Sequence, residues 1–421
     1  METNALASGS LIAVKRIKVI DALRGFAVFG MLMINIRVFS GYAYGAHHEE
    51  LLLGQWDVTF DQIHAVFFNG KFYTLFALLF GIGFAFQRNN ALQAHRPFTR
   101  QFARRLFFLL LIGLVHLWAI WFGDILVLYS LCGFILMLFM KLSTKKLLWA
   151  GVLLLLVPGM YSWYLYATQG GYTNLLFQWL SHSWMITGLP HALPYTDTFT
   201  MKDIAYVTRE GSLGSLLRFH SLGPILRMYL ISVDARLFKI VAIFILGLWA
   251  GRNIISRQLH QNKAFLIKTA ITGWLVGLPL NVFFAMDNIT SLKDSSVVLI
   301  KDILIPFGYV SLTAAYAATF ILMYRTGIKK ILDALFSAVG KTALSNYIFQ
   351  SFAGIFLFYG IGLNLGESMG ATSLTVVVFG LFGLQVILST RWLKRFHMGP
   401  LEWFWRVATY GGMKPNRRTK S

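Results

Sequence analysis

His116 and Asp124 are the pair in this sequence best placed to do chemistry. They stand eight residues apart in "RRLFFLLLIGLVHLWAIWFGDILVLYSLCG". The apolar run around them makes both costly to bury unless each has a partner. A neutral imidazole beside a carboxylate is the arrangement of a general base. The same two groups can equally serve as a polar link between packed helices. Arg104 and Arg105 open the same run. His116 lies about 16 Å further along a helix, so a cationic rim and a deeper histidine share one element.

Other ionisable or polar residues sit at the thresholds of apolar runs. Asp21 and Arg24, in "KVIDALRGFAVFGMLMIN", are three apart and share a helix face, so they can pair. Arg24 can also anchor an anionic ligand. Lys71 opens "NGKFYTLFALLFGIGFAF", where a lysine can snorkel to the interface; Gly81 and Gly83 in that run allow a close helix approach. Asp234 and Arg236 precede "LFKIVAIFILGLWAGR". Being two apart, they point to different faces of a helix, and each is expected to need a partner elsewhere. Gly247 and Gly251 have the small-xxx-small spacing of a helix-packing face. Asn346 and Gln350, in "GKTALSNYIFQS", are four apart on one face, suited to hydrogen bonding between helices or to a ligand. No metal-binding spacing occurs: HExxH is absent and the pair His47–His48 lacks clear companions. No nucleophile elbow is present. The one cysteine, Cys132, rules out an internal disulfide.

The elements that must position these groups are membrane helices. The chain of 421 residues is 57% hydrophobic, with a mean hydropathy of +0.62. Only 13% is charged, about half the share usual in soluble domains. Ten candidate spans fall near 20–40, 72–88, 103–121, 124–140, 147–166, 235–251, 267–286, 297–323, 342–363 and 371–390. The period-2 pattern of a barrel is absent, and helices satisfy their backbone groups within each span. The expectation is an all-α polytopic bundle over 19–391, between an N-terminal tail (1–18) and a basic C-terminal segment (392–421). The first apolar run lacks a cleavage site behind a short core and is read as a retained span.

The net charge of +21 does not indicate nucleic acid, because the basic residues punctuate the apolar runs. Of the 38 lysines and arginines, 27 fall in the tails and loops of one side and six on the other. That bias predicts cytoplasmic termini. The opposite side receives the acidic, histidine-bearing loop "GYAYGAHHEELLLGQWDVTFDQIHAVFFNG" and the longest connection, about 167–234. Within the latter, "NLLFQWLSHSWMI" reads as an interfacial or packed loop helix.

Taken in order, "RIKVIDALRGFAVFGMLMIN", "GKFYTLFALLFGIGFAF", the His116 run, "DARLFKIVAIFILGLWAGR", "GKTALSNYIFQS" and "GPLEWFWRVATYG" resemble the YeiB family of bacterial membrane proteins, domain of unknown function 418. The resemblance runs from about residue 16 to 411, and its last motif, with Pro400, Glu402, Trp403 and Arg406, is the most distinctive. It implies a bacterial plasma (inner) membrane location and no settled activity. More distantly the family resembles membrane acyltransferases of the heparan glucosaminide acetyltransferase type, which share the Asp-x-x-Arg-Gly opening, here Asp21, Arg24 and Gly25. That likeness implies acyl-CoA as a cytoplasmic donor, a lipid or glycan acceptor, and a reactive histidine. His116 is one candidate; His47 or His48, after the first span, is the other.

Three functions are therefore weighed. In the first, acyl-CoA phosphates meet Arg24, Arg104 and Arg105, His116 deprotonates the acceptor with Asp124 orienting it, and Lys71 or Arg236 steadies the oxyanion. In the second, the buried charges line the path of a transporter or exporter, with "VGLPLN" at 276–281 as a candidate helix break. The third is a non-catalytic membrane partner or sensor.

Overall fold

A computed structural model describes residues 17–44, 55–193, 198–290, 295–366, 368–412 and 416–417. His47 and His48 lie outside the described residues. Among those described, the elements are helical and no β-strand occurs.

Among the described residues, seventeen helices of nine or more residues carry the architecture. They are α1 Lys18–Phe39, α2 Gln55–Phe67, α3 Lys71–Gln93, α4 Phe98–Ala119, α5 Leu126–Leu138, α6 Thr144–Leu154, α7 Val157–Ala167, α8 Gly171–Ile186, α9 Met201–Glu210, α10 Leu213–Ser221, α11 Gly223–Val233, α12 Arg236–Arg257, α13 Lys263–Thr290, α14 Ser295–Tyr324, α15 Ala343–Phe358, α16 Ala371–Arg395 and α17 Pro400–Tyr410. A short helical passage over Lys329–Lys341, with a π turn at Asp333–Ser337, leads into α15.

Eight helical stretches among the described residues are long and apolar enough to cross a membrane. They cover eight of the ten expected spans. The other two form as shorter apolar helices, α5 and α15, of 13 and 16 residues. Both fall short of the roughly 20 residues that span the hydrocarbon core alone. They can be short because neighbouring helices, rather than lipid, cover much of them: Tyr129, Cys132, Leu136, Tyr347 and Gln350 are buried. The remaining helices expose large apolar side chains such as Val115, Leu275, Val376 and Phe379. Apolar surface on that scale belongs in lipid, and the chain is a multi-pass membrane protein.

Helix α1 is the axis of the bundle. Its buried residues contribute to both large apolar cores. Two glycines let the Lys329–Lys341 passage touch its backbone. A Cβ on Gly340 would lie 1.8 Å from the Asp21 carbonyl oxygen, and one on Gly25 would lie 2.0 Å from that of Phe336. The same device joins α3 to α12, where Gly81 faces Gly247 and Gly251 faces Ala85. Gly83, on another face of α3, meets only the Gln87 side chain, at 3.9 Å from where a Cβ would stand. The expected break at "VGLPLN" does not form: α13 continues through Pro279, and the Asn281 side chain donates to the Gly277 and Gly308 carbonyls.

Candidate functional site

Helix α4 ends just beyond His116, whose carbonyl accepts from the amides of Ile120 and Trp121. The turn that follows folds over the Trp121 indole at Gly123. Gly113 lets α5 approach so closely that a Cβ there would lie 2.7 Å from the Val127 nitrogen. These two glycines are why residues eight apart in sequence can meet. His116 Nδ1 lies 2.8 Å from Asp124 Oδ2. The other carboxylate oxygen accepts from the Val127 amide at 2.7 Å, so Asp124 also caps the first turn of α5. A carboxylate only accepts, so Nδ1 is the donor to it, and in the neutral imidazole with that tautomer the lone pair lies on Nε2.

That lone pair faces a residue 235 positions away in the chain. Ser351 Oγ, on α15, lies 2.9 Å from His116 Nε2. Ser351, His116 and Asp124 thus form one hydrogen-bonded relay, each residue 1% exposed. Tyr347, one turn earlier on α15, stacks obliquely on His116 at 5.1 Å, and its hydroxyl accepts from the Ile125 amide. Arg227, buried on α11, is within electrostatic reach of Asp124 and Tyr347, and its Nε has no hydrogen-bond partner among the described residues.

An apolar cavity of about 200 Å³ leads toward this relay. Its mouth is set by Arg24, Arg105, Lys341, Glu402 and Trp405; Tyr129, Ile125, Tyr347 and Gln350 form its inner end. The mouth opens into a polar vestibule of about 1240 Å³ that adds Arg96, Arg406, His397 and Trp403. Helix α17 builds one wall. The Arg105 guanidinium stacks on the Trp405 ring at 3.7 Å, and Trp405 Nε1 donates to the Arg105 carbonyl. Glu402 accepts from the Leu344 and Ser345 amides and from the Ser345 hydroxyl. A carboxylate at a helix N-terminus satisfies donors that would otherwise be orphaned. Burial pushes the Glu402 carboxyl up, against the pull of those three donors.

The expected residues fall in several different places. His116 and Asp124 meet, and Arg24, Arg105 and Gln350 line the cavity. Asp21 pairs with Arg24 at 3.7 Å, as their spacing predicts. Asn346 and Gln350 join an interhelical ladder with Thr342, Gln385 and Ser389. Arg104 is exposed and turns toward Phe108, away from the cavity. Lys71 does not snorkel. It is fully buried, donates to the Ala65 and Asn69 carbonyls, and closes the turn before α3.

The reading of Asp234 and Arg236 needs correction. They bond each other at 2.7 Å, and Lys239 adds a second contact to Asp234 at 2.7 Å. Asp234 ends α11 and Ala235 takes a left-handed conformation, so no helix separates the two onto different faces. Neither Lys71 nor Arg236 lines the cavity. Ser351, Tyr347, Arg227 and Lys341 were not anticipated. Ser351 closes the motif "GKTALSNYIFQS", and its own signal was a lone serine beside Gln350 in an apolar helix.

An all-helical membrane bundle with a buried polar relay defines the class of this chain. The family described as "Protein of unknown function (DUF418)" matches residues 250–412. The uncharacterized protein YxaH of Bacillus subtilis (strain 168) is 29% identical over 411 residues, covering 95% of this chain and 96% of the relative. The uncharacterized protein YeiB of Escherichia coli (strain K12) is 27% identical over 414 residues, covering 94% and 97%. The chain is thus similar to the DUF418 family over residues 250–412 and to these two proteins along nearly its whole length. No solved structure matches it.

Proposed function

We propose that this protein is a membrane acyltransferase that moves an acyl group from acyl-CoA to an acceptor at the membrane or its outer side. The observation that carries the reading is a buried histidine, oriented by a buried carboxylate, beyond the inner end of an apolar cavity with a cationic mouth. Arg24, Arg105 and Lys341 suit the phosphates of the donor, and Trp405 and Trp403 offer flat faces to an adenine. The apolar walls suit the pantetheine arm and acyl chain. His116 Nε2 is the base, and Asp124 fixes its tautomer. The basic side is read as cytoplasmic, which places both chain ends and the donor there, in a bacterial plasma membrane. An export path of the broken-helix kind finds less support, since α13 is continuous.

The test is binding of acetyl-CoA to protein purified in detergent. Acetyl-CoA is expected to raise the thermal midpoint of the wild type, and Arg105→Gln is expected to abolish the rise while leaving the unliganded midpoint near normal. A wild type indifferent to acetyl-CoA and to long-chain acyl-CoA alike would overturn the reading.

A further inference from the structure

We infer that Ser351 is the nucleophile of this site, so that the acyl group is carried on the protein between donor and acceptor. The inference rests on the acyltransferase reading and adds a covalent step to it. The first observation is where the hydroxyl points. Serines and threonines in apolar helices usually turn back to a carbonyl of the preceding turn. Thr74, Ser256, Thr272 and Thr375 do so in this chain. Ser351 instead directs Oγ at His116 Nε2, its one hydrogen-bond partner among the described residues.

The second observation is occupancy of the imidazole. Nδ1 is committed to Asp124 and Nε2 to Ser351. An acceptor cannot be deprotonated by His116 while Ser351 holds Nε2; the proton His116 is placed to take is the serine's own. A hydroxyl, a histidine and an aspartate in series is how a weak nucleophile is activated. The third is Arg227, a buried guanidinium with an unpartnered Nε within electrostatic reach of Asp124 and Tyr347. It puts a buried positive charge in the electrostatic surroundings of the relay, the kind of group that steadies a developing oxyanion.

The step balances in two halves. The Ser351 Oγ–H proton passes to His116 Nε2 as Oγ bonds the thioester carbonyl carbon. The carbon–sulfur bond then breaks, and the thiolate leaves with that proton as free thiol, giving a serine ester. The acceptor's O–H proton next passes to Nε2 as its oxygen attacks the ester carbon, and Ser351 leaves with the proton restored. Tyr347 both lines the cavity and packs on His116, so it is the side chain shared by the cavity and the relay.

The experiment needs no acceptor. Purified full-length protein is incubated with radiolabelled acetyl-CoA, denatured, and read by intact mass and peptide mapping. In parallel it is treated with a fluorophosphonate, which reports serine nucleophilicity without any acyl donor. The expected result is one acetyl group per chain on the peptide bearing Ser351, absent in Ser351→Ala, restored as a thioester in Ser351→Cys, and at least tenfold slower in Asp124→Asn. Ser351→Ala is expected to keep the wild-type acetyl-CoA thermal shift, which separates loss of the nucleophile from loss of the fold. If acetyl-CoA binds but no adduct forms, or the adduct sits on His116, the nucleophile assignment is overturned and the acyltransferase reading stands. If the fluorophosphonate labels Ser351 in a His116-dependent way but acetyl-CoA neither binds nor labels, the nucleophile stands and the donor is wrong. Labelling by neither reagent overturns the inference.

Discussion

Glu402 shows how much one side chain can organise. Its carboxyl caps α15, lines the cavity and fixes α17 in place. Burial holds its folded value above the ordinary glutamate value. Between the two values the folded state binds more protons than the unfolded state, so stability falls as pH rises through that window. The protective contribution is complete below the unfolded value, about 4.3, and is gone above the raised folded value. Thermal midpoints of the detergent-purified protein measured across that window are expected to decline with pH. In Glu402→Gln this decline is expected to flatten, at a lower starting midpoint because the amide nitrogen cannot accept. A decline of the same slope in both proteins would remove Glu402 from the explanation. At this scale the sequence was only partly legible. His116 and Asp124 announced themselves as ionisable groups in an apolar run. Ser351 did not, because a serine in a membrane helix normally satisfies itself against its own backbone.

At the scale of elements, the first helix matters most. Asp-x-x-Arg-Gly looked like two charges and a glycine. In the structure the glycine is as telling as the charges, because Gly25 and Gly340 bring two backbones into contact. Gly340→Ala is expected to cost about 1–3 kcal/mol, as overpacking of a filled interior does, seen as a lower thermal midpoint. Since Gly340 and Lys341 border the cavity, the variant is also expected to lose acetyl-CoA binding in parallel. A Gly340→Ala protein of unchanged midpoint would mean that α1 and its neighbour are not held this tightly. Helix positions were readable from apolar runs and basic punctuation. The lengths of α5 and α15 were not, because hydropathy cannot distinguish a lipid-covered run from one covered by protein. The Asp234–Arg236 pair was misjudged for a related reason: periodicity assumes an unbroken helix, and Ala235 interrupts it.

For the whole molecule, the asymmetric distribution of lysine and arginine predicts one orientation. Cys132 is fully buried, so a reagent that cannot cross the membrane has no native thiol to reach. A cysteine introduced at Gly412 is expected to react only after cells are permeabilised, and one at Leu213 to react in intact cells. The reverse pattern would invert the assignment and put the cavity mouth on the outer side. The all-helical class and the likeness to the family were legible from the sequence because both rest on patterns spread along the chain. The relay was not, because it joins α4 to α15 across 235 positions, and no local pattern encodes which distant face a serine will meet.

The wall built by α17 has a consequence in time. This helix follows every other helix described here, yet it supplies Glu402 and Trp405 to the mouth and the cap to α15. During synthesis the earlier helices enter the membrane one after another, with the mouth still lacking a side. The cavity is therefore closed only once residues 400–410 have been made, and a chain released before residue 400 would fold around an open groove instead of a cavity.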